Sequence, residues 1–113
     1  LQFASLTDII YQTWAGKTAK EYKKFKGLKK ENLRDNMTNT ELVLNMLAEL
    51  STKRISETTN PETMSEHSNV ARQGGEIARN ARLELEAKTG ENVISPLNAK
   101  HGLLLNEKNT QKD

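Results

Sequence analysis

One stretch limits what this chain can become: residues 60–90, NPETMSEHSNVARQGGEIARNARLELEAKTG. It reads as a single long helix. Asn60 is placed to cap it, and Pro61 stands in the first turn, where a missing N–H costs nothing. Glu62 and Glu66 lie near the positive end of the helix dipole. Met64, Val70, Ala71, Ile77, Ala78, Ala81 and Leu85 recur at steps of three and four and share a face. Lys88 in the last turn and Gly90 after it supply the stop. Much of that face is small: Ala71, Gly74, Gly75, Ala78 and Ala81. A glycine inside a helix costs about 1 kcal/mol relative to alanine. The pair Gly74-Gly75 therefore reads as a close helix crossing, or else as a hinge. It is no phosphate loop, since neither a preceding strand nor a GK[ST] run accompanies it. A lone helix of this length cannot bury its stripe, so another helix, or a second copy of the chain, is expected to pack there.

The natural partner is the segment before it. Thr38 with Glu41 has the spacing of a capping box, in which each residue satisfies a backbone N–H of the other. The helix that follows, 39–55, is read with Leu42, Val43, Met46, Leu47, Leu50 and Ile55 inward. Leu47 is expected to be buried and Leu44 to lie off the stripe. Residues 56–60, SETTN, read as a polar turn, and helices joined by so short a connection pack antiparallel. The expected fold is all-α: four to five helices built on the antiparallel pair 39–55 and 60–89, ending in a short extended or helical segment.

Before this pair, residues 1–5 read as the end of a linker. Thr7 then opens a helix with Leu6, Ile9, Ile10, Thr13 and Trp14 on one face, and Gly16 closes it. Thr18 and Glu21 form a second capping-box pair. Tyr22, Phe25 and Ala19 are expected to face inward from the short helix that follows, with Lys20, Lys23 and Lys24 outward and Gly27 at its end. Residues 28–37 fit either a short helix with Leu28, Leu33 and Met37 inward or an irregular connection. After Gly90, Val93 and Ile94 read as an extended pair and Pro96 as the start of a short helix through Lys100. Leu103, Leu104 and Leu105 are expected to dock on the core. Residues 106–113 have nothing to bury and are expected to be disordered.

With 113 residues the chain is read as a single domain, residues 1–105, and its first residue, Leu1, points to a C-terminal fragment of a longer protein. Only 35% of residues are apolar, and all five aromatics (Phe3, Tyr11, Trp14, Tyr22, Phe25) fall in the first 25 positions. The rest of the core must be thin and aliphatic, which favours either a loose helical domain or an oligomer that borrows core from a partner. There is no cysteine, hence no disulfide and no thiolate ligand. His67 and His101 lack metal-site spacing, and no serine sits in a nucleophile elbow. The reading is a non-enzymatic, cytoplasmic protein with no metal, no cofactor and no membrane segment.

Charge is uneven. Residues 1–55 hold ten Lys/Arg against six acids, while residues 56–113 hold seven against nine. The basic excess is concentrated in Lys17, Lys20, Lys23, Lys24, Lys26, Lys29 and Lys30, seven lysines in fourteen residues, followed by Arg34. Interleaved with Tyr22 and Phe25, this set is the candidate nucleic-acid site: cations neutralise phosphate and aromatic rings stack on bases. The plain alternative is a solvated amphipathic helix. Arg72, Arg79 and Arg82 on the long helix have Glu76 and Glu86 at ion-pair spacing, which accounts for most of that cluster.

Two runs carry a resemblance. YKKFKGLKKENLRDNMT (22–38) with Thr40-Glu41-Leu42 is the first. ARQGGEIARNAR (71–82), followed by Thr89-Gly90, Val93-Ile94-Ser95 and Asn98-Ala99-Lys100, is the second. Together they resemble the region that follows the BRO-type N-terminal domain in phage and bacterial proteins, a family that includes phage antirepressors and DNA-damage-inducible protein D. The resemblance spans about residues 6 to 101. It implies a longer parent whose missing N-terminal domain binds DNA, and a role in phage regulation or in the SOS response to DNA damage, at recombinase filaments. The expected function is an oligomerisation and partner-binding module, either as a homo-oligomer or with a protein of DNA repair or phage regulation. The second reading is direct nucleic-acid binding through 17–34.

Overall fold

The computed structural model describes residues 3–98, with side chains from Ser5 onward. The expectations for Leu103, Leu104 and Leu105, for 106–113 and for the last residues of the Pro96 helix lie outside the described residues. Four α-helices are present: α1 (Phe3–Ala15), α2 (Ala19–Phe25), α3 (Asn39–Thr59) and α4 (Met64–Thr89). A single 3-10 turn, Arg34–Asn36, breaks the connection between α2 and α3. Among the described residues there is no strand. The all-α class and the antiparallel pair α3–α4 are as expected.

α4 is the spine, packed against both α1 and α3. Its two glycines make this possible. A Cβ on Gly74 would stand 1.9 Å from Thr52 Oγ1 and 2.7 Å from the Thr52 backbone nitrogen on α3. A Cβ on Gly75 would stand 2.7 Å from Thr13 Cβ on α1. Successive helical residues point about 100° apart, so adjacent glycines admit two different helices. The hydroxyls of Thr52 and Thr13 both turn back onto their own helices, donating to Ala48 O at 2.8 Å and Ile9 O at 2.7 Å. The crossings therefore bury no unsatisfied hydroxyl. Ala71 and Ala78 are buried beside the glycines, and Ala81 is half-buried.

Three helices start with capping boxes: Thr18–Glu21, Thr38–Glu41 and Thr63–Glu66. The third corrects the expected start of the long helix. α4 begins at Met64, because Thr63 and Glu66 offer two reciprocal bonds where Asn60 would offer one. Asn60 instead ends α3 in the left-handed conformation, φ 48°, with its N–H donated to Ser56 O. Asparagine tolerates that conformation, and Pro61 cannot continue a helix. Residues 56–59 are thus the last turn of α3, and the connection is 60–63. At the N-terminus, α1 begins at Phe3 rather than at Thr7.

The core joins Tyr11, Trp14 and Ala15 of α1, Tyr22 of α2, Leu28, Leu33 and Met37 of the connection, Leu44 and Ala48 of α3, Ala78 of α4, and Val93. Tyr22 lies edge-on to both Tyr11 (centroids 6.0 Å apart) and Trp14 (6.2 Å), a favoured aromatic arrangement. α3 departs from its expected phase. Its buried residues are Glu41, Leu44, Asn45 and Ala48. Leu42, Leu47 and Ile55 are half-buried, and Val43, Met46 and Leu50 are exposed. The seam against α4 is made of small and polar residues, so the apolar stripe marks a different face. Past Gly90, Val93 is buried and Ile94 packs on the core, but residues 96–98 are not helical.

Candidate functional site: a closed polar hub and two open surfaces

The seven lysines divide. Lys20, Lys24, Lys29 and Lys30 are exposed, and Lys17 and Lys23 are half-buried. Lys26 is not a surface residue at all: it is 1% exposed and pairs with Glu41 at 2.6 Å. This corrects its place in the basic set. Lys26 lies one turn after Tyr22, and the two share the face that α2 turns to the core. Arg34 is exposed, but its Nη1 bridges both carboxylate oxygens of Glu49 at 2.7 and 2.8 Å.

Lys26 and Glu41 form the centre of a buried hub. Lys26 Nζ donates to Glu41 Oε1, to Ser95 O at 2.8 Å and to Leu97 O at 2.6 Å. Glu41 Oε1 also accepts from the Thr38 N–H, closing the capping box of α3. Its Oε2 accepts from the Tyr22 hydroxyl and from the Ser95 N–H at 3.0 Å. Every donor of the ammonium and both oxygens of the carboxylate are engaged. Burial, then the charge of Glu41, pushes the Tyr22 hydroxyl far above its ordinary range. Asn98 Nδ2 donates to Lys26 O at 3.2 Å. Residues 91–98 have no regular structure yet lie strapped across the body by these bonds.

A second set anchors the start of that strap. Arg82 Nε donates to Trp14 O at 2.7 Å, and its Nη1 holds Glu86 at 3.1 Å. Glu86 Oε2 in turn accepts from the Val93 N–H at 2.9 Å. Nearby, Trp14 Nε1 donates to Asn45 Oδ1 at 3.2 Å, and Asn45 Nδ2 is buried with no partner. Burial followed by Glu49 raises the Tyr11 hydroxyl as well. Chemically, the hub is saturated: it joins α2, α3 and the strap, and it leaves no free group aimed at a ligand. Among the described residues no cluster of three or more His, Asp or Glu side chains gathers that could hold a metal ion, and no helix is long and apolar enough to cross a membrane.

Two surfaces remain open. The first is apolar. Val43, Met46 and Leu50 of α3 are 63%, 49% and 57% exposed, and Ile77 of α4 is 44% exposed. Two residues along a helix turn the side chain by about 200°. Asn45 of α3 and Gly75 of α4 both face α1. Val43, Leu47 and Ile77, each two residues from one of these, therefore share the side of the pair turned away from α1. The second surface is basic and surrounds Phe25, which is expected inside but is 41% exposed, with Lys17 Nζ 4.4 Å from its ring centre.

Reading the sequence missed the hub and found its parts only separately: Glu41 as a cap, Tyr22 as core and Lys26 as surface. The usable signal was the four-residue spacing of Tyr22 and Lys26. Of the helix-packing set, Gly74 and Gly75 make the double crossing on α4, Ala71 and Ala78 are buried and Ala81 is half-buried. Comparison with protein-family models, with curated proteins and with solved structures gave no match, so the BRO-type resemblance rests on the motifs quoted above.

Proposed function

We propose that this chain is a non-enzymatic module that self-associates through the exposed face of α3. The observation that carries the reading is the run Val43, Met46, Leu50, Lys53, Glu57, spaced three, four, three and four along one helix. That is the spacing of a coiled-coil seam, and its apolar members stand in water while the polar Glu41 and Asn45 are buried. An apolar face of this kind marks a protein contact. The chemistry fits a second copy laid antiparallel. Pairing Met46 with Leu50 of the second copy sets Val43 against the aliphatic stem of its Lys53. It also sets Asn39 against its Glu57, an acid beside the positive N-terminal end of a helix. No like charges oppose. Two α3–α4 hairpins then form a four-helix core around the thin one each chain has. In the parent protein that the BRO-type resemblance implies, such a module would join cytoplasmic subunits acting in DNA repair or phage regulation.

Sedimentation equilibrium tests this. The wild-type chain is expected as a dimer, and Met46→Lys with Leu50→Lys as a monomer of unchanged helix content, because neither residue is buried. A wild-type monomer at all concentrations, or a dimer indifferent to both substitutions, would overturn the reading.

A further inference from the structure

The basic surface does not depend on the α3 face and has a different chemistry. α2 seats itself with Tyr22 and Lys26, not with Phe25. The neighbours Phe25 and Lys26 thus exchange the places their polarity predicts: the lysine goes in and the ring stays out. Withdrawing Lys26 leaves six lysines between positions 17 and 30, with Glu21 the acid inside that stretch and Glu31 directly after it. Both carboxylates are turned onto backbone N–H groups. Glu21 Oε1 accepts from Thr18 N at 2.8 Å, and Glu31 Oε1 accepts from Lys29 N at 2.8 Å and Lys30 N at 3.0 Å. Neither glutamate makes an ion pair with one of the six lysines. The fold therefore leaves these lysines without a carboxylate partner from Glu21 or Glu31, on the segment that carries an exposed aromatic ring.

We propose that Phe25 and the lysines of this segment bind single-stranded nucleic acid, the ring stacking on an unpaired base while the strand passes across the helix and Lys20, Lys23, Lys24, Lys29 and Lys30 meet its phosphates. Stacking on exposed aromatics set in a basic surface is the general mode of sequence-tolerant single-strand binding. A duplex would not suit the site, since its base faces are already stacked and a ring on a short surface helix has no access to them. An anionic membrane would attract the lysines too. Against it stands Lys17, whose ammonium lies over the Phe25 ring, so that inserting the ring among acyl chains would carry a charge with it.

The test is anisotropy of a labelled oligothymidylate and of a labelled duplex with the full 113-residue chain, across a salt series. The single strand is expected to bind more tightly than the duplex. The logarithm of its affinity should fall with the logarithm of salt by about 0.7 per phosphate contact. Lys23→Gln with Lys24→Gln should flatten that slope by roughly two contacts' worth. Phe25→Ala should weaken binding by roughly five- to hundredfold, the range for loss of one stacked base, without changing the slope. Phe25→Tyr should restore the affinity. Should the alanine variant fold poorly, Phe25→Leu makes the same comparison with apolar bulk retained. Three results would overturn the proposal: equal affinity for duplex and single strand, indifference to loss of the ring, or partition onto phosphatidylserine vesicles with no oligonucleotide bound.

Discussion

Glu41 is a carboxylate asked to do two things: it caps α3 through Thr38 and it neutralises a lysine that has left water. The two roles differ in magnitude, and Glu66 separates them, since it caps α4 in the same way but stands exposed. Glu66→Ala removes one half of an exposed capping box and should cost little. Glu41→Ala leaves Lys26 buried without its counter-charge and should cost about 3–5 kcal/mol, the range for breaking a buried pair. Urea denaturation of the two variants gives the comparison. Equal losses would mean that Lys26 escapes to solvent when its partner is removed. At this scale two of the three capping boxes were legible from their Thr-x-x-Glu spacing, while Thr63–Glu66 was masked by Asn60 and Pro61, which also fit a helix start. Lys26 was not legible, because a lysine is read as a surface residue unless its partner is known. That partner lies fifteen positions away on another helix, where no local pattern registers it.

Between elements, the decisive contacts are between backbones rather than between large side chains. Gly74 touches α3 and Gly75 touches α1, so α4 cannot move from either without losing a fitted crossing. Gly74→Ala gains about 1 kcal/mol of helix propensity. It also forces a methyl group against the Thr52 backbone, and overpacking costs typically 1–3 kcal/mol or more. A lowered melting temperature is expected, with Gly75→Ala milder because its nearest atoms belong to the Thr13 side chain. A raised melting temperature for Gly74→Ala would show that the crossing is looser than drawn. The small-residue stripe was readable in the sequence because Ala71 and Ala78 extend it on both sides of the two glycines. The phase of α3 was not. Its core face carries Glu41, Asn45, Ala48 and Thr52, while Val43, Met46 and Leu50 face water. A pattern built on hydrophobicity selects the wrong side of a helix whose core face sets Leu44 and Ala48 among polar residues.

For the molecule as a whole, stability should form a plateau bounded by carboxylates on one side and phenols on the other. Backbone N–H groups hold the carboxyls of Glu21, Glu31 and Glu66 below their ordinary range. Their contribution is present above that range and is lost as pH falls through the lowered folded values. Burial raises Tyr11 and Tyr22, so the folded state keeps both protons where the unfolded chain releases them. From about pH 10 upward, stability should fall as the unfolded phenols ionise, by roughly 1.4 kcal/mol per pH unit for Tyr22, with Tyr11 adding to the fall. Denaturation midpoints measured across pH give both limbs, and Tyr22→Phe should flatten the alkaline one. An alkaline limb unchanged by that substitution would mean that Tyr22 ionises as freely folded as unfolded. The antiparallel pair α3–α4 followed from two long helical patterns and a short connection, whereas the packing of α1 against α4 had no sequence signal of its own. The strap had none either, since residues 91–98 are held by side chains from 26, 41 and 86 rather than by any pattern of their own. The strap also puts the fold on a clock. A ribosome delivers the chain from its N-terminus, so Lys26 and Glu41 emerge early and the carbonyls of Ser95 and Leu97 come last. Until those arrive, the ammonium lacks two of its three acceptors and stays hydrated, and the corner between α2 and α3 cannot close. A message truncated between residues 90 and 95 would thus yield a chain with all four helices encoded and its lysine still in water, an open substrate for proteolysis.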